Sequence, residues 1–170
     1  MIIRQEQKSD SEKVYQVVQK AFEKAERCDG NEQDLVVALR KSAAYVPELS
    51  LVAEENGEVV AHILFTKIRI GDQTELALAP LCVLPEYQHQ GIGTALMARG
   101  HQIAAQMGYG FSVVLGSEEY YPKAGYVPAE QYGIQAPFDV PSKNYMALDL
   151  QGKPRKLNGT VAYAREFFEV

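Results

Sequence analysis

Apolar positions along this chain change their period twice. Near the start, Ile2 to Arg4 is a short strand candidate, followed by Val14, Val17, Val18, Ala21 and Phe22 at helical spacing. Ser9 or Asp10 is placed to cap that helix. Asp29-Gly30-Asn31 interrupts the pattern, and a second helix with Leu35, Val36 and Leu39 on its apolar face is predicted to end before Pro47. From there the period shortens. Leu49 to Glu54 and Val59 to Ile70 are rich in apolar and β-branched residues and are separated by Asn56-Gly57, a strong hairpin signal. Gly71-Asp72 marks a further turn before a third strand over Glu75 to Leu84. Three strands joined by tight turns predict an antiparallel meander.

After Pro85 the helical period returns. Gly91 or Gly93 opens a helix with Ile92, Leu96, Ile103 and Met107 along one side, ending at Gly108. At about 1.5 Å per residue it is about 25 Å long, enough to cross a sheet. Phe111 to Leu115 is a short strand candidate, followed by a helical turn around Glu119 to Ala124. Residues 128–143 hold Pro128, Pro137, Pro141 and Gly133 and read as a loop. Tyr145 to Leu150 reads as a strand, and Thr160 to Tyr163 as another strand or a packed tail.

Composition narrows the class. With 170 residues, 46% of them hydrophobic and 23% charged, the chain suits one globular domain with one core. A net charge of −5 argues against non-specific nucleic-acid binding, which draws on clustered Lys and Arg. Cys28 and Cys82 lie far apart without metal-ligand or redox spacing, so neither a metal nor a disulfide is expected. No apolar run is long enough for a bilayer and Met1 to Gln5 lacks the core of a signal peptide, so a cytoplasmic protein is expected.

The chemistry concentrates between Leu81 and Leu96, where a strand enters a turn with two glycines and a helix leaves it. Free backbone N–H groups and the positive end of a helix dipole meet there, and glycine lets a phosphate come close. A Gly-x-Gly turn alone also fits plain backbone geometry. No Gly-Lys-Ser/Thr follows for a P-loop, and Leu96 stands where a dinucleotide fold places its third glycine.

Two motifs make the reading specific. Gln88-x-x-Gly91-x-Gly93 after a strand resembles the acetyl-CoA signature of the GNAT superfamily of N-acetyltransferases. Tyr121-Pro122-Lys123-Ala124-Gly125-Tyr126, preceded by Tyr120, resembles that superfamily's second signature, Tyr-x-x-x-Gly-Phe/Tyr. Val114-Leu115-Gly116, Pro137-Phe138 and Met146-Ala147-Leu148 look like the YhbS-like branch of bacterial acetyltransferases. The resemblance spans almost the whole chain. It implies an α+β fold whose predominantly antiparallel mixed sheet is splayed between strands 4 and 5 and flanked by helices. The domain would cover 1–150, with 151–170 an extension packed on it. Many relatives carry an Asn after the fifth strand; here Gly116-Ser117-Glu118-Glu119 stands there, and no Asn role is carried over.

The resemblance implies acetyl-CoA as donor cosubstrate, held by Leu81, Cys82 and Val83 on the strand and by Gln88, His89, Gln90, Gly91, Ile92, Gly93 and Thr94 in the turn. A backbone N–H on Leu81 to Val83 would polarise the thioester carbonyl if a bulge leaves one unpaired. Tyr121 is the expected general acid, since a phenol keeps its proton at neutral pH and can protonate a departing thiolate. A lysine-like amine with a pKa of about 10.4 needs about 4.6 kcal/mol to lose its proton at pH 7. Glu32 and mid-strand His62 are the candidate bases; solvated and hydrogen-bonded roles respectively, or proton release to water, stand beside them. Lys123 is either a phosphate contact or a surface lysine. The expected activity is direct acetyl transfer to a primary amine. A non-catalytic acyl-CoA sensor and an acyltransferase with a longer acyl group or a hydroxyl acceptor are the alternatives. A homodimer enters only by analogy with relatives that pair their sheets.

Overall fold

The computed structural model describes the whole chain except residues 24–29, 154 and 170, so Cys28 lies outside the described residues. The elements run β1 (Ile2–Gln5), α1 (Ser11–Phe22), α2 (Glu32–Arg40), β2 (Tyr45–Glu55), β3 (Glu58–Ile70), β4 (Gln73–Val83), α3 (Ile92–Gln106), β5 (Phe111–Leu115), β6 (Val127–Pro128), β7 (Ile134–Gln135), β8 (Tyr145–Asp149), β9 (Gly159–Ala162) and α4 (Glu166–Glu169). The main sheet has the order β1-β2-β3-β4-β5-β8-β6. Every pairing in that order is antiparallel except β4 with β5. β9 adds an antiparallel step to the far end of β3 and pairs in parallel with β7.

The expected meander is present. Asn56 and Gly57 both take positive φ (52° and 79°), as a two-residue hairpin of this twist requires. β3 is buried at every position from Val59 to Thr66, because helices cover both of its faces. α3 lies over the face that carries Phe65, whose ring sits where a side chain at Gly100 would be. α1 covers the other face with Val14, Val17 and Val18.

Several expectations shift. β2 starts at Tyr45 and includes Pro47, because a register shift between Tyr45 and Ser50 absorbs the proline. The segment read as a loop carries β6 and β7, each only two residues long and set by tertiary pairing rather than by local pattern. Met107 is exposed at the helix end instead of on its buried side. Asp10 makes no side-chain bond to the start of α1; its carboxylate instead accepts from the Gln7 N–H (2.7 Å) and from Arg4 (2.7 and 3.0 Å).

α2 is tied to the sheet by a buried carboxylate. Glu6 accepts from Arg40 at the end of α2 (2.8 and 3.2 Å) and from the Ser50 hydroxyl (3.0 Å). Such a pair is worth more as a specifier of position than as net stability. Among the described residues, no helix is long and apolar enough to cross a membrane.

The contact between α3 and β3 is testable. Gly100→Ala would push a methyl into the Phe65 ring and should destabilise the protein by about 1–3 kcal/mol. A melting temperature equal to the parent's would show that the helix is not seated this closely.

Candidate active site

The site is an opening within the sheet. β4 and β5 pair only at Leu76 with Ser112 and Ala77 with Val113. At that closed end, buried Glu75 on β4 accepts from the Gly110 and Phe111 N–H groups (2.8 and 3.2 Å) and pins the start of β5. Burial pushes the Glu75 carboxyl up, against those two donors. Beyond Ala77 the strands part. On the other side of β4, the register passes from Phe65 opposite Leu78 to Ile63 opposite Leu81, so Ala79 and Pro80 together face Leu64. This is a bulge, and Pro80 has no N–H to leave unpaired in it.

The bulge lies just before the stretch where the sequence placed an unpaired amide. After it, β4 resumes pairing with β3. The Leu84 N–H donates to the Val60 carbonyl (2.9 Å), so by strand alternation Cys82 faces β3 and Leu81 and Val83 turn their amides away from it. The Val83 carbonyl agrees: it accepts from Gln88 Nε2 (3.1 Å) rather than from β3. Leu81 and Val83 therefore present N–H groups to the opening. The thiol of Cys82 points back to the His62 carbonyl (3.7 Å), and burial pushes it up to about 12.

The opening continues into a cleft of about 910 Å³, within the range of small-molecule sites. One end is the turn leading into α3. A 3-10 turn over Pro85–Tyr87 leads to Gln88, then His89 (φ 62°) and Gly91 (φ 84°), both left-handed. From His89 to Thr94 no backbone N–H donates to a described residue; the first helical bond runs from Ala95 N–H to Gly91 C=O (3.0 Å). These amides and the helix dipole form a cradle for an anion. The two glycines act differently. Gly91 supplies the left-handed turn and has open space where a side chain would point, whereas a side chain at Gly93 would strike the Tyr120 hydroxyl. Gln88 anchors the turn to β4, and exposed His89 and Gln90 border it.

Tyr121 stands on a second wall. Its ring fills the space left by Gly116 and meets Tyr120 and Tyr126 edge-on (centroids 5.1 and 5.8 Å). Its hydroxyl bonds to no group among the described residues, and burial pushes its pKa well above the usual phenol range. Tyr126 is held in turn by Ser112 (2.8 Å) and by His101 Nε2 (2.9 Å), a neutral imidazole that burial lowers to about 4. Lys123 is exposed and does not line the cleft.

Of the candidate bases, Glu32 at the first turn of α2 lines the cleft. His62 does not. It is fully buried, its Nδ1 donates to the Leu51 carbonyl (2.9 Å), and its Nε2 has no partner. Burial lowers it to about 4, so it is a neutral core residue and its candidacy as base is withdrawn. Sequence reasoning missed Tyr120, whose only signal was its place beside Tyr121. It also missed a wall of Phe22, Leu35, Phe138, Tyr163, Phe167 and Phe168, which the chain brings together from both ends.

A splayed sheet, free amides at a helix start and a half-buried phenol along one cleft define an acyltransferase of the acetyl-CoA type. The family model described as acetyltransferase (GNAT) family matches residues 12–126. The uncharacterized N-acetyltransferase YjhQ of Escherichia coli K12 is 34% identical over 165 residues, covering 92% of this chain and 88% of that protein. A GNAT family acetyltransferase from Brucella melitensis, solved in complex with acetyl-CoA, superposes with a TM-score of 0.81 at 31% identity over 98% of this chain and 97% of its own. The Escherichia coli YhbS structure with CoA shares the fold, with a TM-score of 0.82 at 22% identity over 99% and 92%. The chain belongs to the acetyltransferase (GNAT) family.

Gly91→Val should abolish the thermal stabilisation given by coenzyme A while the protein stays folded, since the new side chain enters the cradle and strains a left-handed position. A shift equal to the parent's would show that the phosphates bind elsewhere. His62 makes a separate prediction. Its pKa is lowered on folding, so the unfolded chain binds the proton first and stability falls as pH drops from about 6.5 towards 4. By pH 5 the loss from this group should be on the order of 2 kcal/mol, absent in His62→Gln by urea denaturation. The His62 imidazole resonance, assigned by its loss in His62→Gln, titrating above pH 6 in the folded protein would contradict it.

Proposed function

We propose that this protein moves an acetyl group from acetyl-CoA to a primary amine by direct attack in a ternary complex. The observation that carries the reading is that the turn residues His89 and Gly91 to Thr94, the outward amides of Leu81 and Val83, and Tyr121 all line one cleft, with exposed Gln90 outside it. The turn fits a pyrophosphate because its N–H groups have no protein acceptor. Leu81 and Val83 fit a pantetheine arm and a carbonyl oxygen because their amides alternate away from β3.

Bound there, acetyl-CoA supplies an activated acetyl carbon and a thiolate leaving group. The protein supplies three things. An N–H of Leu81 or Val83 polarises the acetyl oxygen where negative charge develops. Glu32 takes the proton that the amine must lose, directly or through water. Tyr121 returns a proton to sulfur. Because burial holds its phenol protonated, it releases that proton only as charge builds on the sulfur, not beforehand. A cytoplasmic enzyme is part of this reading, and so is proton relay without a histidine base.

A binding-only sensor would have no use for a half-buried phenol whose hydroxyl bonds to no described residue beside the opened strands, which favours the enzyme. Tyr121→Phe should lower kcat about 100-fold or more and leave coenzyme A affinity nearly intact. Thiol release measured with saturating amine checks this. An unchanged kcat removes the acid role.

A further inference from the structure

The acceptor end of the cleft has a definite chemistry. Residues following β8 fold back so that β9 pairs with the end of β3 and α4 packs against α2. This brings Tyr163, Phe167 and Phe168 opposite Phe22 and Leu35, with Phe138 beside them. The aromatic group is fixed rather than loose. The Tyr163 hydroxyl pairs with that of Tyr145 (2.9 Å), Phe138 stacks on Tyr163 (centroids 6.2 Å, 21° between planes), and Phe167 lies 5.0 Å from the same ring. Yet Phe168 is 67% exposed and Phe138 39% exposed, so two large rings on this wall keep much of their surface in water.

Charge completes the description. Among the described residues lining the cleft, Glu32 is the only Asp or Glu, and no Lys or Arg is present. A polyamine or aminoglycoside would bring several ammonium groups to a wall with one carboxylate. An amino acid would bring a carboxylate that no Lys or Arg among the described lining residues receives. The geometry points to a small primary monoamine carrying an aromatic ring as the acceptor, with its ring against Phe138 and Phe168 and its amine on the Glu32 side. Exposed rings of this kind gain most from an aromatic partner, through area removed from water and edge or offset contacts. The inference rests on the acetyl-transfer reading above and adds the substrate class.

The test compares phenethylamine, spermidine and phenylalanine as acceptors in a thiol-release assay, after a thermal shift has verified acetyl-CoA binding. Phenethylamine should have the highest kcat/KM, by about tenfold or more. Phe168→Ala, at an exposed position, should raise the KM for phenethylamine about tenfold and leave that for acetyl-CoA unchanged. Phe138→Ala serves the same purpose if that variant does not fold. Preference for spermidine or phenylalanine, or equal use of all three, overturns the substrate class while leaving acetyl transfer in place. If acetyl-CoA binds and none is acetylated, saturation-transfer NMR of phenethylamine on the CoA-loaded protein decides. Ring signals lost in Phe168→Ala uphold the aromatic site and count against transfer to amines. Absence of ring signals in the parent overturns the site.

Discussion

A strand inside a sheet satisfies its amides on both sides, and β4 stops doing so partway along. Glu75 holds it to β5 at one end by capturing the Gly110 and Phe111 amides, and the two-residue bulge at Ala79–Pro80 redirects it at the other. Beyond Ala77 the sheet opens without cracking, because β4 resumes its pairing with β3 after the bulge. The amides thereby released are the ones that face the cleft. Everything chemical in the molecule is arranged around that parting of two strands.

The walls divide the electrostatic work. At one end, the helix start from His89 to Thr94 offers positive backbone dipoles, and among the described residues no Lys or Arg lines the cleft. At the other, one carboxylate lies among aromatic rings. Between them Tyr121 and Cys82 are kept neutral because burial raises both, and in the core behind the cleft burial lowers His101 and His62. A middle without charged side chains lets weak donors act more strongly on charge that appears only during reaction.

Position is supplied from outside the cleft. Arg40 and Glu6 fasten α2, so that Glu32 at its opposite end keeps its place on the wall. Ser112 and His101 fix the Tyr126 hydroxyl, and the Tyr126 ring then bounds Tyr121. Neither support was legible beforehand, since each joins residues far apart in the chain.

What the sequence alone determined was the meander, the long helix and the two-glycine turn, because each follows from local physics: the apolar, β-branched run of β3, Asn56-Gly57 at a two-residue turn, Gly91 at a left-handed helix start. The paired Gln88 and Tyr121 motifs carried the family and its fold. Tertiary structure alone decided that His62 lies in the core, that the bulge precedes Leu81, that β6 and β7 exist, and that rings from Phe22 to Phe168 share one wall. A strand pattern states which residues alternate but not which face a helix will cover. Contacts between the first helix and the last residues depend on how the chain closes, which no local window contains.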